Sequence, residues 1–202
     1  MTKNIIRELR DLAPLRPLSV AEAIRTADLQ ATRLLALVGI EEGPVPESAI
    51  TTLPRIRVER MTPALVSGSV KWARGHWVII INGAESWGRQ RFTIAHEFKH
   101  VLDAPFIKFL YPGRKGESTS DRAEQICEYF AGCLLMPRAW VKRAYCDEGI
   151  QDLRRLARQF AVSISAMHFR LIQLGLAEPL PSCGTCVART KQRSARPSLT
   201  AR

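Results

Sequence analysis

The chain has 202 residues, 46% of them hydrophobic and 24% charged, with a net charge of +11 and five cysteines. Those values exclude a collagen-like or low-complexity chain and allow one domain with appendages or two small ones. An odd cysteine count speaks against a disulfide framework, and the positive balance calls for an anionic partner such as nucleic acid or an acidic protein, or simply a solvated basic surface.

The N-terminal residues are charged and lack the apolar run of a secretory signal, so a cytoplasmic location is expected. Residues 1–18 read as a short helix followed by an arm punctuated by Pro14 and Pro17. Ser19-Val20-Ala21-Glu22 is a capping box that opens a helix running to about Val38 and ending at Gly39. Residues 55–61 alternate as a strand. Residues 67–72 and 76–82 flank Ala73-Arg74-Gly75 as a hairpin, with Val78-Ile79-Ile80-Ile81 apolar enough to be buried on both faces. The fold class expected is α+β: a mostly helical domain with a small two- or three-stranded antiparallel sheet ahead of its central helix.

That helix spans about 88–102. Phe92, Ala95, Phe98, Val101 and Leu102 give it an apolar stripe at helical spacing. Beside the stripe stands His96-Glu97-Phe98-Lys99-His100. Histidines four apart lie on one face, about 6 Å apart along the axis, and can grip one metal ion. The glutamate after the first histidine places a carboxylate beside the metal, as hydrolysis needs.

Residues 103–119 read as a loop beside the site. A helix over 121–136 follows, capped by Thr119 or Ser120, then a short helix from Pro137 to about Ala144. Helices over 150–160 and 163–174, turning at Ala161-Val162, resemble a helix-turn-helix. Arg154, Arg155, Arg158 and Arg170 make DNA contact the rival reading for this segment, with any zinc then structural. The region 19–178 is expected as one unit, and 179–202 as a basic disordered tail, where Arg189, Lys191, Arg193, Arg196 and Arg202 stand without a balancing acid. Cys183-Gly184-Thr185-Cys186 in that tail is a lone C-x-x-C without a matching second pair. His76 reads as a strand-end residue.

A catalytic zinc site needs a third protein ligand and an open position. Asp103, Asp121, Glu124 and Glu128 are the nearby carboxylates, and spacing does not choose among them. Tyr111 and Tyr129 are candidates for a group that stabilises an oxyanion.

The stretch Arg91 to His100, followed by Glu124-Gln125-Ile126-Cys127-Glu128-Tyr129-Phe130-Ala131-Gly132-Cys133-Leu134-Leu135-Met136-Pro137, resembles the ImmA/IrrE metallopeptidases over about residues 30–175. The resemblance implies Zn²⁺ held by His96, His100 and Glu124, with Glu97 as catalytic base and Cys127 as packing. It also implies a protein substrate, a helix-turn-helix repressor. Two positions depart from the family pattern: Lys99 stands where glycine is usual, and Glu128 where asparagine or aspartate is usual.

Overall fold

The computed structural model describes residues 4–62, 64–113 and 118–178. The tail from Pro179, with its C-x-x-C pair, lies outside the described residues.

Helix α1 (Ile5–Arg10) buries Ile6 and Leu9. Arg10 ties it to the body by donating to the Val101 and Leu102 carbonyl oxygens at 2.8 and 3.1 Å. Helix α2 (Val20–Val38) starts at Ser19, whose hydroxyl accepts from the Glu22 amide while the Glu22 carboxylate accepts from the Ser19 amide. It stops at Gly39, which adopts a left-handed φ of 70°. A short helix, α3 (Ser48–Thr51), follows the proline-rich break.

The sheet consists of β1 (Ile56–Met61), β2 (Gly68–Ala73) and β3 (His76–Asn82), in the order β1-β3-β2. Arg74 and Gly75 both have positive φ, as a tight two-residue hairpin requires, and β2 pairs antiparallel to β3. The expectation of an antiparallel sheet is corrected at the other edge. β1 runs parallel to β3, with Ile56 opposite Trp77 and Met61 opposite Asn82. The chain reverses twice between β1 and β3, so β3 runs in the direction of β1 and pairs with it in parallel on the side that β2 leaves open. Central β3 buries Val78, Ile79 and Ile81.

Helix α4 (Trp87–Asp103) lies on β2 and β3 and packs against α6 (Thr119–Leu135), which in turn packs on α2. The short α5 (Ile107–Leu110) sits in the segment expected to be loop. The cap of α6 is Ser118, not Thr119 or Ser120: its hydroxyl accepts from the Asp121 amide at 3.0 Å, and the Asp121 carboxylate accepts from the Ser118 amide. A main core joins α1, α2, the sheet, α4 and α6.

A second, smaller core forms where Met136, Val141, Leu156, Phe160, Met167 and Leu171 meet. It gathers α7 (Arg138–Lys142), a π-helical turn (Arg143–Asp147), α8 (Leu153–Gln159) and α9 (Ile164–Gln173). Arg91 joins the two cores. Its buried guanidinium donates to the carbonyl oxygens of Val45, Phe160 and Ala161, and lies over the Trp87 ring at 4.7 Å. Among the described residues no helix is long and apolar enough to cross a membrane.

Candidate metal centre

The i, i+4 spacing on α4 sets His96 and His100 together at the edge of the α4–α6 contact. Ala123, Ile126, Cys127 and Phe130 turn inward from α6, and the Phe98 and Phe130 rings pack with centroids 6.3 Å apart. Glu124 lies at the border of that buried face, its side chain half-exposed. From there its Oε2 comes within 3.1 Å of His96 Nε2 and its Oε1 within 3.3 Å of His100 Nε2. The two Nε2 atoms are themselves 3.3 Å apart. Of the four carboxylates open from the sequence, Glu124 is the one that joins the histidines.

The 3.3 Å between the two imidazole nitrogens matches an edge of a coordination tetrahedron, since bonds of about 2.0–2.1 Å to a central zinc give edges of about 3.3–3.4 Å, and each nitrogen faces one oxygen of Glu124. Two imidazole nitrogens and a carboxylate are also a donor set that zinc accepts. The donor triangle therefore fits a zinc ion. Hydrogen bonds to His100 and then His96 hold the Glu124 carboxyl well below the usual carboxylate range.

Glu97 is buried beside the same centre. The edge strand β2 passes close over it. A Cβ at Gly68 would stand 2.3 Å from Thr93 Cγ2 and 3.0 Å from Glu97 Oε1, so β2 approaches α4 only because residue 68 is glycine. Gly68 was not singled out from the sequence, although a glycine inside a strand is a recognised sign of close backbone approach. A cleft of about 490 Å³ opens here, lined by Leu65, Val66, His96, Glu97, Glu124 and Glu128.

The other candidate residues have different places. Asp103 accepts from Lys99 Nζ at 2.7 Å and from the Tyr111 hydroxyl at 2.8 Å, in a buried network with Gln30. Asp121 caps α6. Tyr111 is buried away from the cleft, and its phenol is pushed far up by burial and by Asp103. Tyr129 faces the Arg170 guanidinium at 5.7 Å. Neither tyrosine lines the cleft, so neither is placed to stabilise an oxyanion. His76 sits at the hairpin, its Nδ1 3.0 Å from the Arg74 carbonyl oxygen. Cys127 is buried in the α6 face, where burial pushes its thiol up.

The helix-turn-helix shape is present, with Ala161 left-handed at the turn. Arg170 is buried and donates through Nε to the Met136 carbonyl oxygen at 3.0 Å. The exposed side of α9 carries Ile164 and Phe169 instead. Arg154, Arg155 and Arg158 on α8 remain exposed.

Residues 54–172 match the model of the IrrE N-terminal-like domain, a peptidase family. The chain belongs to this family. Among curated members, the IrrE-like chain is 29% identical over 162 residues to the radiation response metalloprotease IrrE of Deinococcus radiodurans, covering 77% of this chain and 47% of that protein. It is 32% identical over 103 residues to the IrrE protein of Deinococcus deserti, covering 48% of this chain and 37% of that one. The chain thus spans about half, or less, of the length of these relatives. In fold, it is similar to a Mycobacterium tuberculosis transcriptional regulator, with a TM-score of 0.60 and 22% identity over 83% of this chain and 51% of that one.

Proposed function

We propose that this IrrE-like chain is a zinc-dependent endopeptidase that cleaves a helix-turn-helix transcriptional repressor. His96, His100 and Glu124 hold Zn²⁺ and Glu97 is the general base. The observation that carries the reading is the convergence of those three donors within 4.8 Å of one another, with Glu97 in the same cleft. The metalloprotease names of the curated relatives support the chemistry.

A zinc ion held there would lower the pKa of a water toward about 7 and polarise a peptide carbonyl. Glu97 accepts the proton of the attacking water on its carboxylate and returns it to the leaving amine. Burial of Glu97 beneath β2 keeps that proton transfer out of bulk solvent. β2 is an edge strand that borders the cleft, and an exposed strand edge can recruit an extended polypeptide through main-chain hydrogen bonds.

The test is cleavage of a purified helix-turn-helix regulator by the zinc-loaded chain, with a chelator-treated control. Zinc-dependent scission at a defined bond supports the reading. An intact regulator in both arms, with zinc verified at the site, counts against it. The rival, DNA reading by α8 and α9, is disfavoured by the inward turn of Arg170.

A further inference from the structure

A second cavity opens beside the metal-facing cleft. It holds about 260 Å³ and lies between the start of α4, the later turns of α6 and α9. Arg89, Phe92 and Glu128 line both spaces, so the two share a rim. Phe92, Met136, Val162, Ala166 and Phe169 give it an apolar wall, and polar or charged residues, among them Arg89, Glu128 and Gln173, complete the lining. The volume falls below the roughly 300–1,000 Å³ usual for a small-molecule site. It suits one large side chain better than a cofactor.

Gly132 lies on the α6 side of this cavity. The residue is buried within the helix, yet a Cβ built on it meets no heavy atom within 4 Å. Its backbone is not left-handed, so no turn requires glycine there. Glycine disfavours a helix interior relative to alanine. What glycine provides at 132 is an open hollow. On the opposite wall Phe169 is 59% exposed. Leu65 and Val66 add further exposed apolar surface within the cleft itself.

We propose that this hollow is a specificity pocket that receives one large apolar side chain (leucine, methionine or phenylalanine) of the bound polypeptide, with Gly132 as its floor and Phe169 as its lip. The proposal rests on the peptidase reading of the adjoining cleft. The shared rim carries the argument: a polypeptide lying across the metal-facing cleft has its neighbouring side chain within reach of the hollow. The bond from Arg170 to the Met136 carbonyl holds α9 against the end of α6 and so holds the wall in place. The helix-turn-helix shape is then reused as part of a substrate surface.

The test uses the zinc-loaded full chain with ¹³C-methyl methionine. Titration with N-acetyl-leucinamide shifts the Met136 methyl resonance saturably, and N-acetyl-aspartamide does not. Gly132→Leu fills the hollow and abolishes the shift, with zinc content and melting temperature retained. Phe169→Ala, at an exposed position, weakens it several-fold. In a peptide library, cleavage favours large apolar residues at one position, and Gly132→Leu moves that preference toward alanine by about tenfold or more. A Met136 resonance silent to the leucine amide, or a library preference unchanged in Gly132→Leu, overturns the proposal. A Met136 response without any cleavage counts against the peptidase reading alone, and cleavage without side-chain preference counts against the pocket alone.

Discussion

Lys99 Nζ lies 2.7 Å from Asp103 Oδ1, one turn along α4, with both side chains withdrawn from solvent. Gln30 accepts a second hydrogen bond from the ammonium, and the Tyr111 oxygen lies 3.4 Å from it. This network ties α2 and the α5 segment to the helix that carries His96 and His100.

Removing one partner leaves the other charge buried. Lys99→Met is therefore expected to destabilise the fold by about 3–5 kcal/mol. The double variant Lys99→Met/Asp103→Leu recovers most of that loss, because no uncompensated charge remains. Urea denaturation of the two variants checks the pair; equal stabilities would show that the ion pair itself does not set the cost.

Much of this architecture is legible in the chain. The Ser19 capping box, the Gly39 stop, the hairpin at Arg74-Gly75 and the histidine helix follow from local rules, because each depends on residues no more than four apart. The direction of β1 does not, since alternation looks the same in parallel and antiparallel pairs. Nor does the cap at Ser118, where three adjacent hydroxyl residues compete and only the reciprocal bond with Asp121 distinguishes one. Glu124 came from family resemblance, and the fold then brought it to the histidines across 28 residues. Lys99 looked anomalous because, although Asp103 stands four residues on, nothing local shows that the pair is buried against Gln30 of α2.

Arg170 tests the status of the helix-turn-helix shape. Its bond to the Met136 carbonyl is charge-assisted and buried. Arg170→Ala is expected to lower stability by about 1.5–3 kcal/mol and to leave any affinity for duplex DNA unchanged. Thermal unfolding and fluorescence anisotropy at low salt measure the two effects. A stable variant with weakened DNA binding would restore the DNA reading.

Glu124 and Glu128 are one turn apart on α6, and only Glu124 belongs to the donor cluster. Glu124→Gln is expected to cut zinc affinity by at least the 10–100-fold typical of disturbing a metal site's support. Glu128→Gln leaves it within about threefold, below that same range. Competition with a chromogenic chelator measures both. Comparable losses would make Glu128 a ligand and close the coordination shell.

Burial pushes the Cys133 thiol up from its ordinary value of 9.0 to about 12. The folded state therefore keeps the proton that the unfolded state releases. The stabilisation is fully present below pH 9 and is lost as pH rises from about 9 toward 12. Stability of the parent chain should fall across that window, and more gently in Cys133→Ala. Cys146 is exposed, so it should be alkylated well before Cys133 at neutral pH. Equal labelling rates, or identical alkaline profiles, would contradict the burial argument.

The most direct test of zinc-dependent peptidase chemistry is cleavage of the regulator by the Glu97→Gln chain, with metal content determined on the same sample. One zinc per chain and no cleavage is the expected result, since the donors at His96, His100 and Glu124 are untouched and only the base is lost. Cleavage at the parental rate by the zinc-loaded variant would contradict the role of Glu97 and the mechanism built on it.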